Sequence, residues 1–104
     1  MTYYIVATKK PNKSYYTVSE LEGYQVCPSK EDNKNIVLID QGKYYSKSSF
    51  FASQYSPENI YYSFNPNTEA SAKCEKKVSS TKEYYLQTIG NNTISDNLLN
   101  LPDV

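Results

Sequence analysis

Residues 68–89 read TEASAKCEKKVSSTKEYYLQTI, and the secondary structure assigned to them decides the fold. Ala70, Cys74, Val78, Tyr85 and Ile89 recur at steps of four and seven, with Thr81 on the same stripe. That spacing describes a narrow apolar face of a helix. Asn67 or Thr68 supplies an N-cap, Glu69 suits the positive helix N-terminus, and Gly90 suits the position after the last turn. Val78-Ser79-Ser80-Thr81 weakens the middle, because these residues are poor helix formers. A competing assignment ends the helix at 78 and makes 83–89 a strand, since YYLQTI also has strand composition. The expectation carried forward is a helix over 68–78, with 82–89 open between helix and strand.

Outward from this stretch the chain reads as short strands. Residues 2–8 (TYYIVAT) are β-branched and aromatic, Lys9-Lys10-Pro11-Asn12-Lys13 is a turn, and residues 14–19 (SYYTVS) form a second strand, so 2–19 is expected to be a hairpin. Gly23 breaks the chain before a short strand at 24–27, and 29–35 is a polar loop. Ile36-Val37-Leu38-Ile39 is the most apolar run and does not alternate, which predicts a strand buried on both faces and central to the sheet. Asp40-Gln41-Gly42-Lys43 is a tight turn. Residues 44–48 return as a strand, and Phe50-Phe51-Ala52 extends it or opens a helical turn. Residues 59–64 (NIYYSF) are the next strand. At the C-terminus, 91–104 reads as a loosely packed tail, in which Leu98, Leu99 and Leu101 favour one docked helical turn over 95–101. The expected fold is therefore α+β: one domain over 1–104, an antiparallel sheet of five or six short strands, and one helix near the C-terminus.

Composition excludes more chemistry than it offers. Eleven lysines balance eleven carboxylates, with no arginine and no histidine. A neutral chain has no long-range field to draw in nucleic acid or anionic lipid, and without arginine it lacks the bidentate phosphate ligand. Without histidine there is no imidazole base and no Ser-His or Cys-His dyad. The three glycines lie far apart, so no phosphate loop, dinucleotide fingerprint or nucleophile elbow is present. Cys27 and Cys74, 47 residues apart in sequence, do not make a zinc site and read as reduced, buried thiols rather than a bridge. The N-terminal run is too short for a signal peptide, and no run reaches membrane-spanning length, so a cytoplasmic location with no membrane partner is expected. No cofactor or metal is expected. A carboxylate site would have to draw on Glu20 and Glu22, which a strand would place on one face, or on Glu31, Asp32 and Asp40; the simpler reading of all five is solvated loop and edge charge.

Tyrosine is what remains. Ten of the twelve tyrosines stand in adjacent pairs, at 3-4, 15-16, 44-45, 61-62 and 84-85, and Phe50-Phe51 is a sixth aromatic doublet. A strand sends neighbouring side chains to opposite faces, so each pair divides between the two sides. Choosing the register that gives each strand an apolar side, and reading 84-85 on the helical stripe, assigns Tyr3, Tyr16, Tyr62 and Tyr85 to the core. It assigns Tyr4, Tyr15, Tyr45, Tyr61 and Tyr84 to the surface as candidate partner-binding residues. Tyrosine suits binding surfaces because it offers large area, few rotors and a polar tip; its second face serves equally to pair with a neighbouring strand.

These observations point to a non-enzymatic protein-binding module, with homodimerisation compatible. Small chains rich in A/T-codon residues are common in phages and mobile elements, so an inhibitor that occludes a host defence enzyme is the specific form expected. Two alternatives follow from the same residues. One is a nucleic-acid module using Lys9, Lys10, Lys13, Lys73, Lys76 and Lys77 with stacked tyrosines, although Glu69, Glu75 and Glu83 interleave with the later lysines. The other is a self-assembling structural or virion protein.

Overall fold

A computed structural model describes residues 1–32, 35–38, 42–89 and 98–104, with side chains described outside 30–41. The chain forms a mixed sheet with one short helical segment. The strands are β1 (Thr2–Lys9), β2 (Gly23–Asp32), β3 (Asn35–Leu38), β4 (Lys43–Ser46), β5 (Ile60–Phe64), β6 (Ser71–Val78) and β7 (Tyr84–Thr88). The order across the sheet is β3-β2-β1-β5-β6-β7, and β4 also pairs with β2. β1 and β5 run parallel, and every other pairing among the described strands is antiparallel. The sheet is thus mixed rather than purely antiparallel.

The expected C-terminal helix is absent: residues 71–78 are β6, which forms a hairpin with β7. The physical reason lies in the spacing. A step of four is also an even step, so Ala70, Cys74 and Val78 share a strand face as readily as a helix face. Ala72 decides between the two, since Ala72 and Cys74 are buried while Lys73 and Glu75 are exposed. The poor helix formers are turn residues. Ser79 N–H donates to Glu83 O (2.8 Å), Lys82 N–H donates to Ser79 O (2.9 Å), and Lys82 takes φ 66°. The candidate cap residues form the β5–β6 turn, where Asn65 Oδ1 accepts the N–H of Asn67 (2.9 Å) and Glu69 takes φ 60°. The proposed cap at Gly90 lies outside the described residues.

Helix occurs instead in mid-chain. Ser46 accepts the N–H of Ser49 and starts α1 (Lys47–Ser49), which runs into a π-helical turn over Phe50–Gln54. Residues 14–19 are not a strand. Glu20 Oε1 accepts the N–H of Thr17 (3.0 Å), a Thr-x-x-Glu capping arrangement that winds Val18–Glu20 into a 3-10 turn. β1 therefore pairs with β2, beyond that turn. The apolar run at 36–38 is β3 at the sheet edge, not its centre; Ile39 and most of the turn after it lie outside the described residues. Gly42 takes φ 86°, a left-handed conformation that favours glycine.

The core gathers around Phe50, which is fully buried. Its ring meets Tyr24 at 5.2 Å, Tyr61 at 5.5 Å, Phe51 at 4.9 Å, Tyr55 at 6.2 Å and Tyr45 at 6.4 Å. Ile5, Leu21, Val26, Cys74 and Leu86 complete this core with Leu98 and Leu101. The sheet curls around it. Leu86 N–H, in β7, donates to the hydroxyl of Tyr24, in β2, over 3.0 Å. These strands are four positions apart, about 19 Å in a flat sheet, so one tyrosine joins them only because the sheet bends back on itself.

Residues 98–104 pack against β1, and the rest of the expected tail, 91–97, lies outside the described residues. β1 pairs with β5 only over Thr2–Ile5, and beyond that the chain end takes the vacated edge. Thr8 N–H donates to Pro102 O (3.0 Å), Val104 N–H to Thr8 O (3.1 Å) and Lys10 N–H to Asp103 Oδ1 (3.2 Å). Lys10 Nζ donates to the carbonyls of Leu101 (2.6 Å) and Pro102 (3.1 Å); burial lowers its pKa, and Asp103 acts in the opposite sense. Leu98, in a 3-10 turn (Leu98–Asn100), and Leu101 are buried and Leu99 is half-buried; 95–97, the first part of the expected 95–101 turn, lie outside the described residues.

Both cysteines are buried thiols outside any disulfide, and they lie on opposite faces. Cys27 pairs with Tyr4 and Cys74 with Tyr61, while Tyr4 and Tyr61 occupy successive positions of the parallel β1–β5 register. The sheet therefore stands between the two thiols.

Burial raises the Tyr24 pKa well above 10.0, and that of Tyr61 in the same direction. Both phenols are neutral in the fold, so their contribution is fully present below the unfolded pKa and is lost as pH rises through the folded values. Denaturant titrations should show stability declining above pH ~10. Tyr24→Phe should remove part of that decline while costing about 1–3 kcal/mol at neutral pH through the unpaired Leu86 N–H. An unchanged alkaline slope in Tyr24→Phe would contradict this assignment.

Candidate functional site

The five tyrosines expected at the surface separate into two groups. Tyr4 and Tyr61 are core residues, 4% and 3% exposed. For Tyr61 the register is the cause. The buried side of β5 is Tyr61 and Ser63, which leaves Ile60 exposed and Tyr62 and Phe64 half-buried. The Tyr61 hydroxyl donates to Gln54 O (3.1 Å) and accepts the N–H of Ser56 (3.2 Å), tying the π-helical turn to the sheet. For Thr8 the cause is a bulge in β1, whereas Tyr4 precedes the bulge, keeps the side opposite Ile5, and is buried there by neighbouring rings. The register shifts between Ile5 and Ala7, so Thr8 lies opposite Tyr24 and comes onto the side that carries Ile5 and Val26. Tyr4, on the other side, stacks on Tyr62 at 5.5 Å and meets the edge of Phe64 at 5.9 Å. The parallel register thus aligns two doublets: Tyr3 stacks on Tyr61 at 5.6 Å on one face, and Tyr4 on Tyr62 on the other. Among the residues assigned to the core, Tyr3, Tyr16, Tyr62 and Tyr85 are each half-buried.

Tyr15, Tyr45 and Tyr84 remain. Tyr15 is 90% exposed, on the connection after β1. Tyr45 is half-buried, directs its ring towards Phe50 and carries Lys43 Nζ at 5.2 Å from its centroid. Tyr84, 47% exposed at the start of β7, belongs to a cluster that the doublets alone did not mark out. Phe51 lies 5.8 Å from Tyr84 and 5.5 Å from Tyr55. Lys76 Nζ sits over both tyrosines, 4.5 Å from the Tyr84 centroid and 5.1 Å from that of Tyr55.

Local structure explains this placement. Phe50 and Phe51 follow each other in the helical segment, so one ring enters the core and the other turns towards β7. β6 and β7 set Lys76 opposite Leu86, one alternation from Tyr84 on the same face. The result is an open groove of ≈ 520 Å³ with Phe51, Ala52 and Tyr84 as apolar walls and Lys47, Lys82 and Glu83 around them. Lys47 Nζ is 3.6 Å from Glu83 Oε2 and donates to Ser19 O (2.6 Å), fixing the helical segment beside β7. Phe51 was visible in sequence as half of a doublet. Tyr55 and Lys76 carried no local signal, since a lone tyrosine and a strand lysine acquire meaning only through the β6–β7 hairpin.

The other candidate groupings are dispersed. Lys10 is committed to the chain end and Lys13 to Glu20, which leaves Lys9 exposed. Lys73, Lys76 and Lys77 do not form one face: on a strand Lys76 points opposite to Lys73 and Lys77, and Lys77 is 3.2 Å from Glu75. Glu20 lies in the 3-10 turn, so it shares no strand face with Glu22. Asp40 lies outside the described residues, as do the side chains of Glu31 and Asp32. Among the described residues no helix is long and apolar enough to cross a membrane, and no cluster of three metal-ligating side chains occurs. Compared with known proteins, the chain matches no family model, no curated protein and no solved structure.

Serine substitutions separate the two groups of tyrosines. Tyr4→Ser and Tyr61→Ser should each cost about 3 kcal/mol or more, as large-to-small core changes do. Tyr15→Ser should stay within about 0.5 kcal/mol. Urea denaturation of the three variants checks this, and equal effects would contradict the face assignment.

Proposed function

We propose that the chain is a non-enzymatic protein-binding module whose contact surface is the groove and aromatic cluster formed by Phe51, Ala52, Tyr55 and Tyr84. The observation that carries this reading is an accessible aromatic cluster beside an open apolar groove, mounted on a closed core. Binding surfaces concentrate their energy in such rigid aromatic anchors. Pre-organisation supports it further, because Phe51 is anchored by its neighbour Phe50 and Tyr84 by strand pairing, so little ordering is needed on contact. The mechanism is occlusion: a preformed surface covers a functional region of another macromolecule. Its specific form is an inhibitor of a host defence enzyme carried by a phage or mobile element, which the lysine-only, asparagine- and tyrosine-rich composition supports by association.

Affinity capture from the source cell, followed by mass spectrometry, tests the reading. The unaltered chain should retain a defined protein that the folded Phe51→Ser/Tyr84→Ser variant loses by at least ten-fold, the effect of about 1.4 kcal/mol at a hot spot. Equal recovery by both chains would remove this surface from the account.

A further inference from the structure

We propose that the Phe51–Tyr84 surface takes an acidic peptide segment with an apolar anchor, an inference that rests on the protein-binding reading above. The anchor enters the groove between Phe51, Ala52 and Tyr84, and flanking carboxylates meet Lys76 and Lys82. Lys76 is the central observation. Its ammonium is held over two rings, at 4.5 Å and 5.1 Å, and forms no ion pair among the described residues. A lysine already held in place loses less side-chain freedom when it pairs than a free one does. Two lysines elsewhere are neutralised locally, Lys13 by Glu20 and Lys77 by Glu75. Lys76 stands over the Tyr84 wall of the groove from the adjoining hollow, which Glu58 and Glu75 also line. Lys47 and Lys82 line the groove against one carboxylate, Glu83, so the groove rim itself is positive on a chain that is neutral overall. Positive charge beside an apolar hollow complements an acidic segment with a hydrophobic side chain.

The same geometry argues against a nucleic-acid strand. Base stacking needs an open ring face. Lys76 already covers Tyr84 and Tyr55, Phe51 lies against both, and the exposed Glu83 carboxylate would repel phosphate.

The test is selection of a random peptide library on the immobilised 104-residue chain. Fluorescence anisotropy of the best synthetic peptide then follows, with melting curves to confirm that each variant folds. Enriched sequences should set aspartate or glutamate beside phenylalanine, leucine or tryptophan. Lys76→Gln should weaken the peptide by about five-fold, the scale of an exposed ion pair, and Lys76→Glu further. Lys43→Gln, over the Tyr45 ring, should leave it unchanged. Enriched peptides without acidic residues, or affinity indifferent to Lys76→Glu, would overturn the acidic assignment. The protein-binding reading would survive that result if Tyr84→Ser still abolished binding. An empty selection, or peptides indifferent to both Tyr84→Ser and Phe51→Ser, would overturn both. Tight binding of single-stranded oligothymidine that Lys76→Gln removes would assign the surface to nucleic acid instead.

Discussion

The contact between the Tyr24 hydroxyl and the Leu86 N–H is the constraint on which the arrangement depends. An open sheet leaves the outward N–H groups of its last strand to water. Here one of them reaches a phenol projecting from a strand four positions away. The sheet must curl to allow this, and the curl makes a concave side deep enough for Phe50. Phe50 in turn fixes the helical segment between β4 and β5, from which Phe51 faces Tyr84. The aromatic surface is therefore a consequence of closure and not an independent patch.

Tyr24 and Tyr55 are the two tyrosines outside the doublets, and both are central to this arrangement. The doublets drew attention by their repetition. Their structural use is narrower: two of them, 3-4 and 61-62, lie side by side across a parallel strand pair and stack on both faces. Such stacking holds β1 to β5 at the sheet centre, where the chain makes its one parallel pairing among the described strands. Parallel pairing requires a long crossover, and the crossover is what carries the helical segment over the concave face.

Much of the strand content was legible because β-branched and aromatic runs announce it, as in β1 and β5. The readings that failed did so for specific reasons. Even spacing in 70–78 satisfies two periods, and only Ala72 separates them. A β1 bulge changes the face of residues beyond Val6, which no strict alternation anticipates. The apolar run at 36–38 implied a central strand, but lies at an edge beside β2. Of the five candidate surface tyrosines, Tyr84 sits in the groove, because its place depends on β7 being a strand opposite Phe51. Phe51 was half visible as a doublet, whereas Lys76 required knowledge of which strands meet.

Amide hydrogen exchange at β7 tests the closure most directly. Strand alternation points the N–H groups of Tyr84 and Leu86 to the same open edge, away from β6. The account predicts that Leu86 exchanges far more slowly than Tyr84, because Tyr24 accepts its hydrogen bond. Equal, rapid exchange at both positions would contradict it, and with it the geometry that brings Tyr84 to Phe51.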